Sequence, residues 1–118
     1  MPQESNPFYQ RTFDRLNKVN SLIDNGGSKD EIQGALNPGH QENNSGLSDK
    51  ELVIQELGNL LAIVYTNAQM DIEDSIQIPP ISHQIIQKVE EIAQHYDIDL
   101  DSIPKVKYSQ IKNLLLGN

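Results

Sequence analysis

The sequence predicts an all-α fold, a compact bundle of four to five helices. Apolar residues recur at steps of three and four in several separate segments, the spacing that gives a helix one apolar side. A serine followed three residues later by a glutamate, the pattern of a capping box, occurs at Ser28 and again at Ser48. The chain of 118 residues is the size of one domain, so we expect a single all-helical domain over residues 1–118.

The first helix is predicted from about Pro7 to Asp24. Asn6 is a suitable cap, and the proline ring already has the backbone angle of a first helical residue. Apolar side chains then follow at helical spacing, namely Phe13, Leu16, Val19 and Ile23. The Asn-Gly-Gly sequence at 25–27 is expected to end the helix, because glycine accepts the left-handed conformation that closes many helices. Residues 1–6 are expected to form a flexible N-terminus.

A second, short helix is predicted to follow Ser28, which has capping-box spacing to Glu31. Its apolar edge is formed by Ile32, Ala35 and Leu36. A helix of only two turns is not stable alone, so we expect it to dock against the first or the third helix. Residues 37–46 contain no large apolar side chain and many turn-forming residues, so 37–47 is expected to be a mobile surface loop.

The third helix, predicted over about residues 48–69, is expected to be the centre of the bundle. Ser48 and Glu51 give its start the spacing of a capping box. Its broad apolar side consists of Val53, Leu57, Leu60, Leu61, Val64 and Ala68. Such a face is compatible with a closed bundle or with a bundle completed by homodimerisation. Gly58 either allows another helix to approach closely or is merely tolerated, at a cost in helix stability of about 1 kcal/mol relative to alanine.

Further helices are predicted in the second half of the chain. Asp71 is expected to cap a short turn after the central helix, before the Pro-Pro pair at 79–80. Ser82 is expected to cap a helix that runs to about Tyr96. A last helix carries Ile111, Leu114 and Leu115, and the sequence does not define where it starts.

The net charge of −8 is unevenly distributed along the chain. Residues 71–101 contain eight acidic residues and a single basic one, whereas residues 102–118 contain three lysines and no acid. This imbalance favours a protein partner with a basic or mixed surface. The candidate partner-binding residues are Asp71, Glu73, Asp74, Asp97, Asp99 and Asp101.

An acidic chain is a poor non-specific ligand for nucleic acid, because such binding depends on neutralising phosphates. Two basic segments nevertheless leave a nucleic-acid-associated small subunit as an alternative, if folding brings them together. This basic strip consists of Arg11, Arg15, Lys18, Lys105, Lys107 and Lys112.

The chain contains no cysteine, which excludes thiol nucleophiles, disulfides and cysteine-bound zinc. The absence of cysteine also fits a protein of a reducing compartment. No segment approaches the roughly 20 apolar residues that cross a bilayer, and the first residues lack the pattern of a signal peptide. We therefore expect a cytoplasmic protein without a membrane partner.

The spacing of Asp97, Asp99 and Asp101 matches the first ligands of a helix-loop-helix calcium site. The match ends there, because Ser102 and Tyr108 occupy the positions of the expected glycine and bidentate glutamate. The histidines are not spaced as paired helical metal ligands, and no phosphate-binding glycine loop is present. The sequence therefore assigns no catalytic residue, no metal ligand and no cofactor.

The segment from Glu51 to Ile76 resembles one helix and the following turn of the MazG-type all-α nucleoside triphosphate pyrophosphohydrolases. In that family an acid-leucine-glycine-aspartate segment supplies part of a magnesium site. Residues 56–59, Glu-Leu-Gly-Asn, match it except for the asparagine, and the glutamate-rich first metal motif has no counterpart in residues 7–24. The resemblance implies an active or degenerate magnesium-dependent hydrolase as an alternative.

The interpretation we favour is a small acidic protein-protein interaction module without catalytic activity, such as an adaptor, inhibitor, immunity-type protein or assembly subunit.

Overall fold

The computed structural model describes residues 7–36, 48–104 and 106–117, apart from the side chain of Lys29. These residues form five α-helices and one 3₁₀ turn. The helices are α1 (Pro7–Asp24), α2 (Lys29–Leu36), α3 (Asp49–Glu73), α4 (Ile81–Tyr96) and α5 (Tyr108–Leu116), and the 3₁₀ turn is Leu100–Ser102. The described residues contain no strand, so the all-α prediction is confirmed for them. The predicted flexible N-terminus and the predicted loop at 37–47 lie outside the described residues.

The helix α1 has the predicted bounds and buries one side. That side consists of Tyr9, Thr12, Leu16 and Val19, at steps of three and four. The Thr12 hydroxyl donates a hydrogen bond to the Phe8 carbonyl at 2.8 Å, so this polar side chain is satisfied in the interior. After α1 the chain turns at Gly26, whose φ of +75° is a conformation that glycine adopts at little cost.

Reciprocal serine-glutamate hydrogen bonds start both α2 and α3, as predicted. The Glu31 amide donates to Ser28 Oγ at 3.2 Å, and the Ser28 amide donates to Glu31 Oε1 at 3.0 Å. The same two bonds at Ser48 and Glu51 measure 3.1 and 3.0 Å. They hold the pKa of Glu51 below its usual value, the bond from the Ser48 backbone being the largest cause. Both helix starts are therefore fixed by residues three positions apart.

The helix α3 continues to Glu73, four residues beyond its predicted end. The prediction that Asp71 caps a separate turn is wrong. Its carboxyl group is buried and accepts a hydrogen bond from the Tyr9 hydroxyl at 2.8 Å, which joins α3 to α1. The chain leaves the helix at Asp74 and turns at Ser75, which has a φ of 60°.

The helix α4 ends at Tyr96 as predicted, but the prediction that Ser82 caps its start is wrong. The helix begins at Ile81, directly after Pro80, with no side-chain cap. Ser82 lies inside the protein, where its hydroxyl donates to the Leu115 carbonyl of α5 at 3.0 Å.

The last helix, α5, has its apolar residues as predicted, with Ile111 and Leu115 buried and Leu114 half-buried.

The closest packing between helices forms a closed ring in the order α1, α2, α3, α5, α4 and back to α1. The most extensive contact is between α1 and α4. Apolar side chains of all five helices fill the interior of the ring. Within the described residues, no helix has the length and apolar character needed to span a bilayer.

Gly58 of α3 faces the chain that leads into α5. A Cβ atom at this position would lie 3.0 Å from Cγ2 of Ile103, closer than carbon atoms normally pack. Gly58 therefore permits a close approach, as one of its two interpretations predicted, although the approaching segment precedes α5 and is not itself a helix.

Candidate protein-interaction surfaces

A groove of about 680 Å³ runs between α4 and the turn that follows it. It contains three acidic side chains and three apolar ones, and we call it the acidic groove. Its lining residues are Gln87, Glu90, Glu91, Ala93, Gln94, Ile98, Asp99 and Leu100. Apolar surface beside carboxyl groups suits a ligand that is itself both apolar and basic.

The backbone after α4 directs Asp99 into this groove. Asp97 ends the helix in the left-handed conformation, with φ 56° and ψ 48°, so the chain turns back along α4. Asp99 then caps the 3₁₀ turn, accepting hydrogen bonds from the Asp101 amide at 3.0 Å and from the Ser102 hydroxyl at 2.9 Å. All three aspartates remain exposed. In the described part of the chain, no three acidic or histidine side chains are grouped as metal ligands.

Two further acids of the groove, Glu90 and Glu91, were not among the predicted site residues. Glu90 Oε2 accepts hydrogen bonds from the Tyr108 hydroxyl at 3.0 Å and from Lys112 Nζ at 3.1 Å, so it joins α4 to α5. Burial, with Glu90 adding to it, raises the pKa of Tyr108 well above its usual value. Glu91 Oε2 is exposed and lies 3.7 Å from Lys88 Nζ. Both side chains are partly exposed, Glu90 at 43% and Glu91 at 54%, but Glu90 is also held by two hydrogen bonds from α5.

The six predicted partner-binding acids fall into two groups at opposite ends of α3. Asp97 and Asp99 line a small pocket with Ile54, near the start of α3. Asp71 lies about 25 Å farther along the helix, at the usual rise of 1.5 Å per residue. Asp71 is buried against Tyr9, whose pKa is raised by burial and by this hydrogen bond, whereas Glu73 and Asp74 are exposed.

The two parts of the predicted basic strip lie in different parts of the fold. Arg11 and Lys18 are exposed on α1, and Arg15 is half-buried there. Lys107, just before α5, is exposed, while the ammonium group of Lys112 bonds to Glu90. In the ring of helices α4 lies between α1 and α5. Lys105 lies outside the described residues.

Glu56, in the segment that resembles the hydrolase family, is fully buried. Its Oε2 atom accepts a hydrogen bond from Gln33 Nε2 at 3.1 Å, and its Oε1 atom accepts one from Asn59 Nδ2 at 3.2 Å. Asn59 stands where the family has an aspartate. These bonds connect α3 to α2 within the interior, a contact that the sequence did not reveal.

The outer side of α3 has no charge over nearly four turns, at the usual 3.6 residues per turn. Residues 57–70 contain no charged side chain, yet Ile63 and Met70 are 46% and 55% exposed. We call this surface, formed by Asn59, Ile63, Thr66, Asn67 and Met70, the uncharged face. A groove of about 590 Å³ borders it, between Ala62, Tyr65 and Thr66 of α3 and the segment around Ile103 and Lys107.

No family model, curated protein or solved structure matches this chain. A function must therefore be inferred from the protein's own surfaces. Two of them differ clearly in chemistry, the acidic groove on α4 and the uncharged face of α3.

Proposed function

We propose that this protein is a small acidic interaction module without catalytic activity that binds a basic segment of a partner protein in the acidic groove. It would act as an adaptor, inhibitor, immunity-type protein or assembly subunit, in the cytoplasm. The observation that carries the proposal is the arrangement of Glu91 and Asp99 beside Ala93, Ile98 and Leu100 in one groove. Lysine and arginine have long apolar stems and charged ends, so they match both parts of such a surface.

The remaining exposed acids support the same partner at longer range. Glu73 and Asp74 lie at the far end of α3 and do not line the groove. They contribute to the net charge of −8, which attracts a basic partner before contact. We expect them to influence the rate of association and its salt dependence more than the contact itself.

Matched neutralisations separate these two roles. We expect the Glu91→Gln and Asp99→Asn double variant to weaken partner binding about five- to tenfold, since two charge-assisted contacts are lost. Asparagine also caps helices, so the turn at Asp99 is preserved. The control is the Asp14→Asn and Asp24→Asn double variant, two exposed acids of α1, which changes the net charge equally and should bind nearly as well as the parent protein.

The measurement is affinity capture from the native host. The parent protein and both double variants are immobilised, and retained proteins are quantified at low and high salt. A partner retained equally by both double variants, and equally at both salt concentrations, would contradict the choice of the acidic groove. No contact among the described residues favours the hydrolase or the nucleic-acid alternative, and we propose neither.

We also propose that α3 organises the fold, as the sequence suggests. It is the longest helix, packs against α2 and α5, and is joined to α1 through Asp71 and Tyr9. Substitutions that remove the contacts of α3, such as Glu56→Ala, should therefore be among the most destabilising.

A further inference from the structure

The uncharged face of α3 is unusual for the outside of a helix. Ile63 and Met70 are seven residues apart, so they lie on one side, two turns from each other. The solvent side of a surface helix ordinarily carries charged residues, and 22% of this chain is charged, but residues 57–70 have none. Exposed apolar side chains on such a surface indicate a contact with another molecule.

The charge of the protein indicates which molecule binds to the uncharged face. A strongly basic or acidic partner finds no opposite charge on α3 between residues 57 and 70. Two copies of this chain repel each other through a net charge of −8 each, and they can pack only where few acids meet. The uncharged face provides such a place on both copies. We propose that it is the interface of a homodimer in which two α3 helices pack antiparallel, about a two-fold axis near Thr66 and Asn67.

This symmetry pairs apolar residues with each other. An axis between Thr66 and Asn67 places Ile63 of each copy beside Met70 of the second copy, so the contact occurs twice. Asp74 of each copy then lies opposite Asn59 rather than opposite an acid. The interface therefore has one apolar contact on each side of the axis and avoids repulsion between carboxylates.

Lys107 and Glu73 are placed to join the two copies at the edge of this interface. Lys107 lines the groove beside Ala62 and Thr66. Glu73 is seven residues beyond Thr66 and thus lies on the same flank of α3. When two helices pack antiparallel about a two-fold axis, equivalent flanks meet. Each Glu73 therefore approaches Lys107 of the second copy, which gives two symmetric ion pairs.

Charge exchange tests this arrangement. We expect Glu73→Lys alone and Lys107→Glu alone each to weaken self-association at least about tenfold, because like charges then meet twice. An equimolar mixture of the two variants should form a heterodimer, since both contacts are restored, and the double variant should dimerise like the parent. Sedimentation velocity over a range of concentrations measures each case. A monomeric parent protein, or a mixture that associates no better than the single variants, would overturn the proposal.

Cysteine crosslinking tests the position of the axis, because the chain has no cysteine of its own. Thr66→Cys should form a disulfide-linked dimer under mild oxidation, and Ile63→Cys should crosslink to Met70→Cys when the two are mixed. Gln94→Cys, exposed on α4, is the control and should remain uncrosslinked. Equal crosslinking of the control would contradict the proposed axis.

The dimer does not depend on the acidic groove. The Glu91→Gln and Asp99→Asn double variant should dimerise like the parent protein. If the parent is monomeric while Ile63→Lys removes a captured partner, the face belongs to another protein and the homodimer is wrong. The groove proposal is unaffected by that result.

Discussion

Two positions on one side of α3 contradict the simple rule that polar residues lie outside and apolar residues inside. Glu56 is fully buried, whereas Ile63, seven residues later and on the same side of the helix, is exposed. The difference comes from the neighbours. The short helix α2 covers this side of α3 at Glu56 and supplies Gln33 as a hydrogen-bond donor, but leaves it open at Ile63. Burial along α3 is thus decided by which element packs on each turn.

The largest effect is expected from Glu56→Ala. The substitution removes the acceptor of the Gln33 and Asn59 amides and leaves a cavity between α2 and α3. We expect the free energy of unfolding to fall by about 3 kcal/mol. Chemical denaturation measures it. The control is Asp14→Ala, which removes an exposed acid of α1 and should lower the free energy of unfolding by less than about 0.5 kcal/mol. Equal losses in the two variants would mean that the buried contact does not stabilise the fold.

A smaller effect is expected from Tyr9→Phe. The variant keeps the buried ring but removes the hydroxyl that donates to Asp71 at 2.8 Å. We expect a loss of about 1–2 kcal/mol, since a buried acceptor loses a donor. Tyr65→Phe is the matched control, because its hydroxyl accepts a hydrogen bond from Gln69 at the surface. If both variants were equally stable, the link between α1 and α3 would be unimportant.

The smallest effect compares two helical glycines. Alanine at Gly58 gains about 1 kcal/mol in helix propensity, but its Cβ forces Ile103 to move, at a cost of about 1–3 kcal/mol. We expect a net loss of about 1 kcal/mol. Gly34→Ala in α2 has no atom within 4 Å of the new Cβ and should stabilise the protein by about 0.5–1 kcal/mol. Thermal denaturation of the two variants should therefore show midpoint shifts of opposite sign.

The successes and failures of the sequence predictions depend on the distance to the interacting residue. The starts of α2 and α3 were predictable because both halves of each capping box lie three residues apart. Ser82 and Asp71 have similar local signals, but their partners, Leu115 and Tyr9, are 33 and 62 positions away. No local pattern contains that information, so both were wrongly assigned as caps.

The same distinction applies to the candidate site. Asp97, Asp99 and Asp101 were predicted as partner-binding residues from the charge pattern, and the protein places all three at the surface. Glu91 was not among the predicted partner-binding residues. The two lie in one groove because the chain turns back at Asp97 in a left-handed conformation that aspartate adopts only occasionally. The charge pattern thus identified the region, and the backbone reversal defined the groove.

The extensive contact between α1 and α4 has a consequence for synthesis on the ribosome. Residues 25–80 separate the two helices, so the apolar side of α1 is made well before the helix that covers it. At translation rates of about 5–20 residues per second, synthesis of α4 begins roughly 3–11 s after that of α1 is complete. During that interval the nascent chain presents Leu16 and Val19 to solvent or to a chaperone. The ring of helices can close only after both α4 and α5 have emerged from the exit tunnel.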